Sequence, residues 1–482
     1  MPVKCYLENL KEEVCKTIPF KFSSNSNKPS HVANNLFRCC LGKKSKISEL
    51  YDWLYISNKK NASKPSGELL EKYKKCFAVN TSVSDVKKFR SMLMEVFNQD
   101  NTMYPTEAFS CPASTSIFTV KGSVPAEQGL GDYIFSILKC KVSGKESPAI
   151  NLIIEALKSK NNPFATIILP LCGDLKQDQI DDPYYEGKTD LAPLELVIRN
   201  SFDCLANNMI KMNMNNNPIL VLQRMVSLTV FSILFYFINL NHLNCENLTP
   251  MVFDSGLNLN SIIRCSHDCF VNSKKEIEKY FTSLIYDELC KGLSNTNDDC
   301  LKKISDMPLE DDSVNTRRNA IKRLYESKIS GDGDYLKNLA DALQEALYTY
   351  EFKDCTPSEF LSTCLGVRNG IIGPKGNNAI KRFYPSNFIL ENIILSSVCY
   401  EDLVEGIEYV DFGSILREKY NIILGINNDL ECKILEENGL KNTPGDILGD
   451  LHKNSISFAE IIISLGYGKI YADGVTMIGC DL

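Results

Sequence analysis

The sequence predicts a mainly α-helical, multi-domain protein that ends in a winged-helix-like α+β module. The chain of 482 residues is longer than one ordinary hydrophobic core requires, and its 44% hydrophobic and 23% charged residues are typical of a folded protein. Apolar residues recur at i, i+3/i+4 spacing through most of it, whereas short β runs are concentrated near the end. We therefore predict three regions, 1–105, 106–345 and 346–482.

The first region, 1–105, is predicted to be helical and basic. KISELYDWLYIS places Ile47, Leu50, Trp53 and Leu54 on one helical stripe, and loops are expected at SSNSNKPSH and NKKNASKPSG. Residues 1–75 hold 15 Lys+Arg against 7 Asp+Glu, a local charge of +8 in a chain with a net charge of −7. Contacts with polyanions are therefore expected here or in small basic islands. The proline-containing stretch 104–115 is predicted to be a boundary.

The sequence also predicts a cytoplasmic protein with reduced thiols. MPVKCYLENLKEEVCK has carboxylates where the apolar part of a signal peptide would lie. The 19 cysteines have irregular spacing from Cys5 to Cys480, unlike the framework of a small disulfide-rich protein. We expect most of them to be buried as small apolar side chains.

The central region, 106–345, is predicted to be a helical domain, with Ser147 as the N-cap of one of its helices. Met225–Leu240 is an uncharged run of 16 residues, shorter than the roughly 20 residues of a membrane-spanning helix and without basic flanks. We predict a buried central helix at 219–240 and no membrane contact. Residues 294–313 are interpreted as an acidic polar bridge. YLKNLADALQEALYTY follows as a helix with Leu336, Leu339, Leu343 and Leu347 on one face.

The last region, 346–482, is predicted to contain a basic hairpin and a winged-helix-like unit. Three helical runs are followed by KIYADGVTMIG, in which Ala472-Asp473-Gly474 indicates a hairpin turn. Three helices followed by a hairpin are the outline of a winged helix-turn-helix. Such folds bind DNA or only proteins, so this outline predicts an architecture and leaves the function open.

The stretch GVRNGIIGPKGNNAIKRF at residues 366–383 has three interpretations. A phosphate-binding Walker loop fails, because Pro374 before Lys375 offers no N–H and no Ser or Thr follows. A KH-type clamp would use Gly373, Pro374, Lys375 and Gly376, but Pro385 stops the helix that should follow. The third interpretation is a hairpin from Val367–Ile372 to Ala379–Tyr384. The candidate nucleic-acid-binding residues on it are Arg368, Lys375, Lys381 and Arg382. An ordinary solvated loop is the alternative.

No catalytic residue, metal site or cofactor is predicted. Cys265, His267 and Cys269, with His242 and Cys245 some twenty residues earlier, lack the usual spacing of zinc ligands and are interpreted mainly as buried thiols. The chain has only four histidines, and none lies in a known nucleophile signature. The basic helix TRRNAIKR at 316–323 is explained by i, i+4 pairing.

The C-terminal run, from RNGIIGPKG…RFYPSNFILENIIL to KNTPGDILGDLHKNSISFAEIIISLGYGKIYADGVTMI, resembles the ends of accessory proteins in multigene bacterial anti-phage defence and restriction islands. These systems are phosphorothioation-dependent or methylation-associated and usually include a HerA/FtsK-type ATPase. The resemblance covers only the last part of the chain and carries over no site residue. It implies a non-catalytic subunit of a DNA-targeting complex that binds DNA, partner subunits or both. A nuclease-like enzyme of the same type of system and a pure protein scaffold without nucleic-acid contact are the alternatives.

Overall fold

The fold is mainly helical, as predicted, with 67% helix and 5% strand. The computed structural model describes residues 5–20, 28–41, 52–53, 64–98, 129–171, 188–309, 314–329, 333–352, 355–376, 378–440 and 444–479. The helices of the first half are α1 (Tyr6–Lys16), α2 (Pro29–Cys40), α3 (Ser66–Lys72), α4 (Val83–Asn98), α5 (Leu130–Lys139), α6 (Pro148–Lys158), α7 (Pro163–Ile168), α8 (Pro193–Lys211) and α9 (Pro218–Ile238).

The helices of the second half are α10 (Asn260–Cys290), α11 (Asn297–Asp306), α12 (Val314–Lys328), α13 (Tyr335–Tyr350), α14 (Pro357–Glu359), α15 (Asn387–Ser397), α16 (Tyr400–Glu405), α17 (Tyr409–Tyr420), α18 (Asn428–Glu437) and α19 (Pro444–Ser464). A π-helix, Phe360–Val367, continues α14. Three short 3₁₀ turns lie at Lys74–Cys76, Leu169–Leu171 and Met214–Asn216.

Helix α9 lies at the centre, which agrees with the prediction of a buried helix at 219–240. Asn217 caps it by accepting from the Leu220 N–H, and Pro218 occupies its first turn. Of the described helices it is the one long and apolar enough to cross a membrane, with a mean hydropathy of 1.8, but 83% of that apolar window is buried within the protein. It packs against α2, α5, α6, α8, α10, α15 and the π-helix. An apolar helix that is covered on every side needs no lipid to bury its surface.

Two helix pairs show how closely these elements pack around α9. Helices α2 and α5 cross at Gly131, where a Cβ atom would come within 2.2 Å of the Leu36 backbone nitrogen. Helices α8 and α15 are joined by Asn208, whose side-chain amide donates to the Leu395 and Val398 carbonyls at 2.7 and 2.8 Å. These carbonyls end α15, so Asn208 satisfies groups that the helix itself leaves unpaired.

The three predicted regions share one hydrophobic core. Helix α1 packs on α10 and α13, α2 packs on α5 and α9, and α8 packs on α15. The buried apolar residues form a continuous cluster from Cys5 to Ile478. The described parts of the three regions therefore pack together, and the boundaries near 105 and 345 stay predictions from sequence character.

Several local predictions are confirmed. Ser147 caps α6 by accepting from the Ala149 N–H, and the four leucines of the α13 stripe are buried. Trp53 is buried on a short helical segment, whereas Ile47, Leu50, Leu54 and the boundary at 104–115 lie outside the described residues.

Other local predictions are wrong. The acidic bridge 294–313 contains helix α11, which Thr296 caps and which buries Cys300 and Ile304. Helix α2 begins at Pro29, inside the loop predicted at SSNSNKPSH. In both places the first helical turn holds a proline or acidic residues, which favour that position.

Strands are few and short: β1 (Met251–Val252), β2 (Ile372–Gly373), β3 (Arg382–Phe383), β4 (Ile407–Glu408), β5 (Ile422–Ile423), β6 (Gly468–Ile470) and β7 (Thr476–Ile478). Strand β1 pairs with β5 in parallel, β2 pairs with β3 as a hairpin, and β4, β7 and β6 form an antiparallel sheet in that order. The β6–β7 hairpin confirms the turn predicted at Ala472-Asp473-Gly474, where Gly474 has a φ of +84°.

Candidate functional site

The predicted basic hairpin exists but is shorter than expected. Val367 belongs to the π-helix, and the paired strands are only Ile372–Gly373 and Arg382–Phe383. The Lys381 ammonium closes the loop between them by donating to the Pro374 and Gly376 carbonyls at 2.7 and 2.9 Å. The Gly373-Pro374-Lys375-Gly376 sequence thus opens a hairpin turn, whereas a KH clamp places its GxxG loop between two helices.

Arg382 is turned into the protein. Its Nε donates to the Asp254 carboxylate at 2.5 Å, and the side chains of Arg382 and Asp254 are only 8% and 1% exposed. Asp254 lies two residues after the end of β1, and its N–H donates to the Phe383 carbonyl. A buried carboxylate and guanidinium that satisfy each other hold the hairpin against the protein and leave this guanidinium unavailable to a phosphate.

Helix α10 also holds the hairpin. The Ser266 hydroxyl donates to the Phe383 carbonyl at 3.1 Å, and the His267 Nδ1 lies 2.7 Å from the Lys381 carbonyl. His267 therefore faces the hairpin, while Cys265 and Cys269 face the core one turn apart. Within the described residues, no group of three or more His, Cys, Asp or Glu side chains is placed to hold a metal ion.

The four predicted nucleic-acid-binding residues do not form one exposed basic surface. Arg382 is buried, Lys381 is half-buried against its own loop, and Arg368 is half-buried with its Nη1 4.0 Å from the Cys364 sulfur. Lys375 is the exposed member. The hairpin's positive charge is thus largely engaged by the protein, which a sequence cannot reveal because Asp254 is 128 residues from Arg382.

A different surface, missed in the sequence, is formed by the C-terminal unit (residues 400–479). Eight large apolar side chains are more than one-third exposed there: Val404, Val410, Leu430, Leu448, Ile456, Ile470, Tyr471 and Val475. Ile470, Tyr471 and Val475 lie together at the turn of the β6–β7 hairpin, where the Tyr471 N–H donates to the Val475 carbonyl. We call these three residues the tip surface. Their exposures lie between 37% and 56%.

A small apolar cleft lies elsewhere in the C-terminal unit, away in sequence from the tip surface. Its volume is about 220 Å³, and it separates α18 from the start of α19. Leu435, Leu440, Ile447 and Leu448 supply its apolar lining, and Asp429, Glu436 and Lys433 are its charged lining residues. The unit as a whole holds 14 Asp+Glu and 6 Lys+Arg, a net charge of −8. Apolar patches surrounded by acidic residues are typical of surfaces that bind proteins rather than nucleic acids.

Another cavity, with a volume of about 670 Å³, lies between α6 and α8. Arg199 is a lining residue, and its guanidinium donates to Asp203 and to the Cys140 and Lys145 carbonyls. Ser147 donates to the same carboxylate. These bonds hold the turn at 142–145 in place, so the polar groups of this cavity serve the fold.

No protein-family model, curated protein or solved structure matches this chain.

Proposed function

We propose that this chain is a non-catalytic subunit of a bacterial DNA-targeting anti-phage defence complex, and that its C-terminal unit binds a partner protein. The observation that carries the proposal is the tip surface, whose three apolar side chains are exposed together at the turn of the β6–β7 hairpin in this acidic unit. Exposed apolar clusters of this kind mark interaction sites. The complex itself is proposed from the resemblance of the C-terminal run, and it acts in the cytoplasm with a HerA/FtsK-type ATPase among its subunits.

The order of elements supports a winged-helix-like description of the C-terminal unit. Strand β4 precedes α17, the pair α18 and α19 precedes the β6–β7 hairpin, and β7 lies between β4 and β6. In this description the tip surface is the end of the wing. The unit departs from the simple pattern because β5, between α17 and α18, pairs with β1 outside it.

Charge favours a protein partner over DNA for this unit. A DNA-reading helix places basic and polar side chains in the major groove. The exposed side of α19 instead carries Leu448, Ile456 and Glu460, and its Lys453 is 3.3 Å from Asp450. With a net charge of −8 the unit repels a phosphate backbone.

Direct contact with DNA is a second proposal, for other parts of the chain. The +8 charge of residues 1–75 supports it, and Lys375 on the hairpin is exposed. Phosphate contacts of this kind position a protein on DNA and do not read sequence.

Co-expression with the products of the neighbouring genes tests the proposed function. We expect a stoichiometric complex by light scattering, and amide hydrogen exchange that slows on complex formation within residues 400–479. If the protein forms such a complex but protection falls only outside the C-terminal unit, the assignment of the binding surface is wrong. If it stays a monomer with every neighbouring product, the role as a subunit is wrong.

A further inference from the structure

The small sheet of the C-terminal unit has an open edge at β6. Its strands lie in the order β4-β7-β6 among the described residues, so β4 and β6 are the two edges. Strand β4 is two residues long, and α17 begins at the residue that follows it. The β6 edge is longer, because its pairing with β7 runs from Gly468 to Tyr471. Strand β6 is therefore the edge beside which another strand fits.

Half of the backbone groups of β6 point away from β7. In antiparallel pairing, residues that bond to the neighbouring strand alternate with residues whose N–H and C=O groups point outward. The Tyr471 N–H donates to the Val475 carbonyl, so Tyr471 and, two residues earlier, Lys469 bond to β7. The N–H and C=O groups of Gly468 and Ile470 therefore point to the open side, where the described residues place no further strand.

Apolar side chains are exposed on both faces of this edge. A Cβ atom on Gly468 would lie 3.2 Å from the Ile463 Cγ1 atom of α19, so Gly468 faces that helix. Ile470, two residues later, points to the same face and is 56% exposed, while Tyr471 points to the opposite face and is 42% exposed. Proteins generally protect an apolar edge strand, because its free backbone groups pair with other chains.

Charge distinguishes between the two kinds of strand that could occupy the edge. The C-terminal unit has a net charge of −8, so two copies of it placed edge to edge repel each other. A basic segment of a different protein is attracted instead, and its approach is favoured over that of an acidic one. The net charge therefore favours a basic partner segment over a second copy of this chain.

We propose that β6 binds an extended, basic segment of the partner protein as a fourth strand of the sheet, next to β6. The segment exchanges hydrogen bonds with the backbone of Gly468 and Ile470, and its apolar side chains lie beside Ile470 and Tyr471. In this mode of recognition, backbone hydrogen bonds supply affinity and side-chain contacts select the segment. The inference rests on the proposed function, because it states how the tip surface holds the partner.

Two variants of one residue separate the backbone from the side chain. Ile470→Pro removes the outward N–H, which the pairing with β7 does not use, and proline is tolerated at such a position of an edge strand. Ile470→Val is the matched control, because Val also has three side-chain carbons but keeps the N–H. The probe is the synthetic peptide Lys-Lys-Val-Thr-Val-Thr-Val-Lys-Lys, and a second peptide has Glu in place of each Lys. Fluorescence anisotropy with the full-length chain measures the Kd.

The Lys peptide should bind the unmodified chain at least about tenfold more tightly than the Glu peptide. It should bind Ile470→Pro at least about tenfold more weakly than Ile470→Val, because one backbone hydrogen bond is lost and the peptide carbonyl is left unpaired. Residue-resolved amide hydrogen exchange should show slower exchange of Gly468 and Ile470 on peptide binding, with little change at Lys469. This measurement uses the unmodified chain, so it decides the matter even where the Pro variant fails to fold.

The proposal is overturned if neither peptide binds, if both bind equally, or if the Pro and Val variants have the same Kd. A dimer of the chain alone that Ile470→Pro dissociates would assign the edge to a second copy and would also overturn it. These results leave the proposed function standing where a complex with a neighbouring gene product still forms. If the Lys peptide binds as expected but no such complex forms, the role as a subunit is wrong and β6 remains a site for basic strands.

Discussion

Arg382 and Asp254 form a buried ion pair, with 2.5 Å between Nε and Oδ2, although 128 residues separate them. The pair joins the β2–β3 hairpin to the segment that follows β1. That same segment donates from Phe253 to the Ile423 carbonyl of β5 at 3.0 Å. One short stretch of chain therefore ties the hairpin to the C-terminal unit, and the hairpin is part of the core rather than an appended loop.

Replacing Arg382 with Ala should destabilise the protein by about 3–5 kcal/mol, because it leaves the Asp254 carboxylate buried and unpaired. Lys375→Ala, which removes an exposed charge from the same hairpin, should change stability by less than about 0.5 kcal/mol. Urea unfolding followed by circular dichroism measures both. Equal urea midpoints for the two variants would show that the Arg382–Asp254 ion pair contributes nothing to the stability of the protein.

Phe231→Asp should unfold the region around α9. Phe231 packs against Phe235 and Tyr420 with ring centroids 6.3 and 5.2 Å apart, and it is buried. A buried carboxylate without a partner costs several kcal/mol, a large share of a protein's stability. Ile210→Asp, at an exposed position of α8, is the control and should leave a folded protein in the soluble fraction. Recovery of the unmodified chain only from membranes would contradict a buried α9.

The stability of the protein should fall as the pH rises from about 4.5 to about 7, through the titration of Glu431. Burial raises the pKa of this carboxyl to about 7 against the opposing charge of Arg417, and its Oε2 has no hydrogen-bond partner among the described residues. The folded state binds this proton more tightly than the unfolded state, so protonation of Glu431 stabilises the fold. This contribution is fully present below the pKa that Glu431 has in the unfolded chain, and it is lost as the pH rises through the higher pKa that Glu431 has in the folded protein.

Glu431→Gln removes the titration, so it should flatten this part of the pH profile. It should also raise stability at pH 8 by an amount of the order of 3 kcal/mol, at 1.36 kcal/mol for each pKa unit. Thermal unfolding midpoints between pH 4.5 and 8 measure the effect. A variant whose midpoint follows the same pH dependence as the parent would assign the titration to another group.

Binding of duplex DNA should depend on Lys375 and Arg368 if the hairpin binds phosphates. The slope of log K against log salt is negative, and removing one phosphate-binding side chain makes it less steep by about 0.9. The double Ala variant should therefore reduce the steepness by about 1.8 and weaken binding equally for different sequences. Fluorescence anisotropy at four salt concentrations measures the slope. Arg382 and Lys381 are left unchanged because they hold the hairpin together. An unchanged slope would restrict DNA binding to the basic N-terminal region.

Features encoded within one stretch of chain could be predicted from the sequence. The uncharged run that became α9, the Ser147 cap and the Asp473-Gly474 turn each follow from side chains within a few residues of one another. Helical periodicity and turn chemistry are local properties, so the sequence displays them directly.

Features that depend on distant partners could not be predicted. The basic hairpin looked available to phosphates because nothing near Arg382 in the sequence indicates the buried Asp254. The tip surface was missed for the opposite reason, since Ile470 and Val475 looked like ordinary strand residues until their exposure was known. Burial is set by packing in three dimensions, and a side chain's neighbours in the sequence do not determine it.

The affinity of the tip-surface variant for its partner tests the central claim most directly. In this variant Ile470, Tyr471 and Val475 are replaced by Ser. The control carries Ser at Val79, Ile167 and Ile329, which are exposed apolar residues outside the C-terminal unit. Both should fold as the parent does, since exposed side chains contribute little to stability. The partner is the neighbouring gene product that co-purifies with the chain, and calorimetry measures its Kd. The Kd should be at least about 30-fold weaker for the tip variant, which corresponds to the loss of about 2 kcal/mol typical of a binding hot spot. The control should have an unchanged Kd. A tip variant that binds as tightly as the parent would contradict the claim that this surface holds the partner.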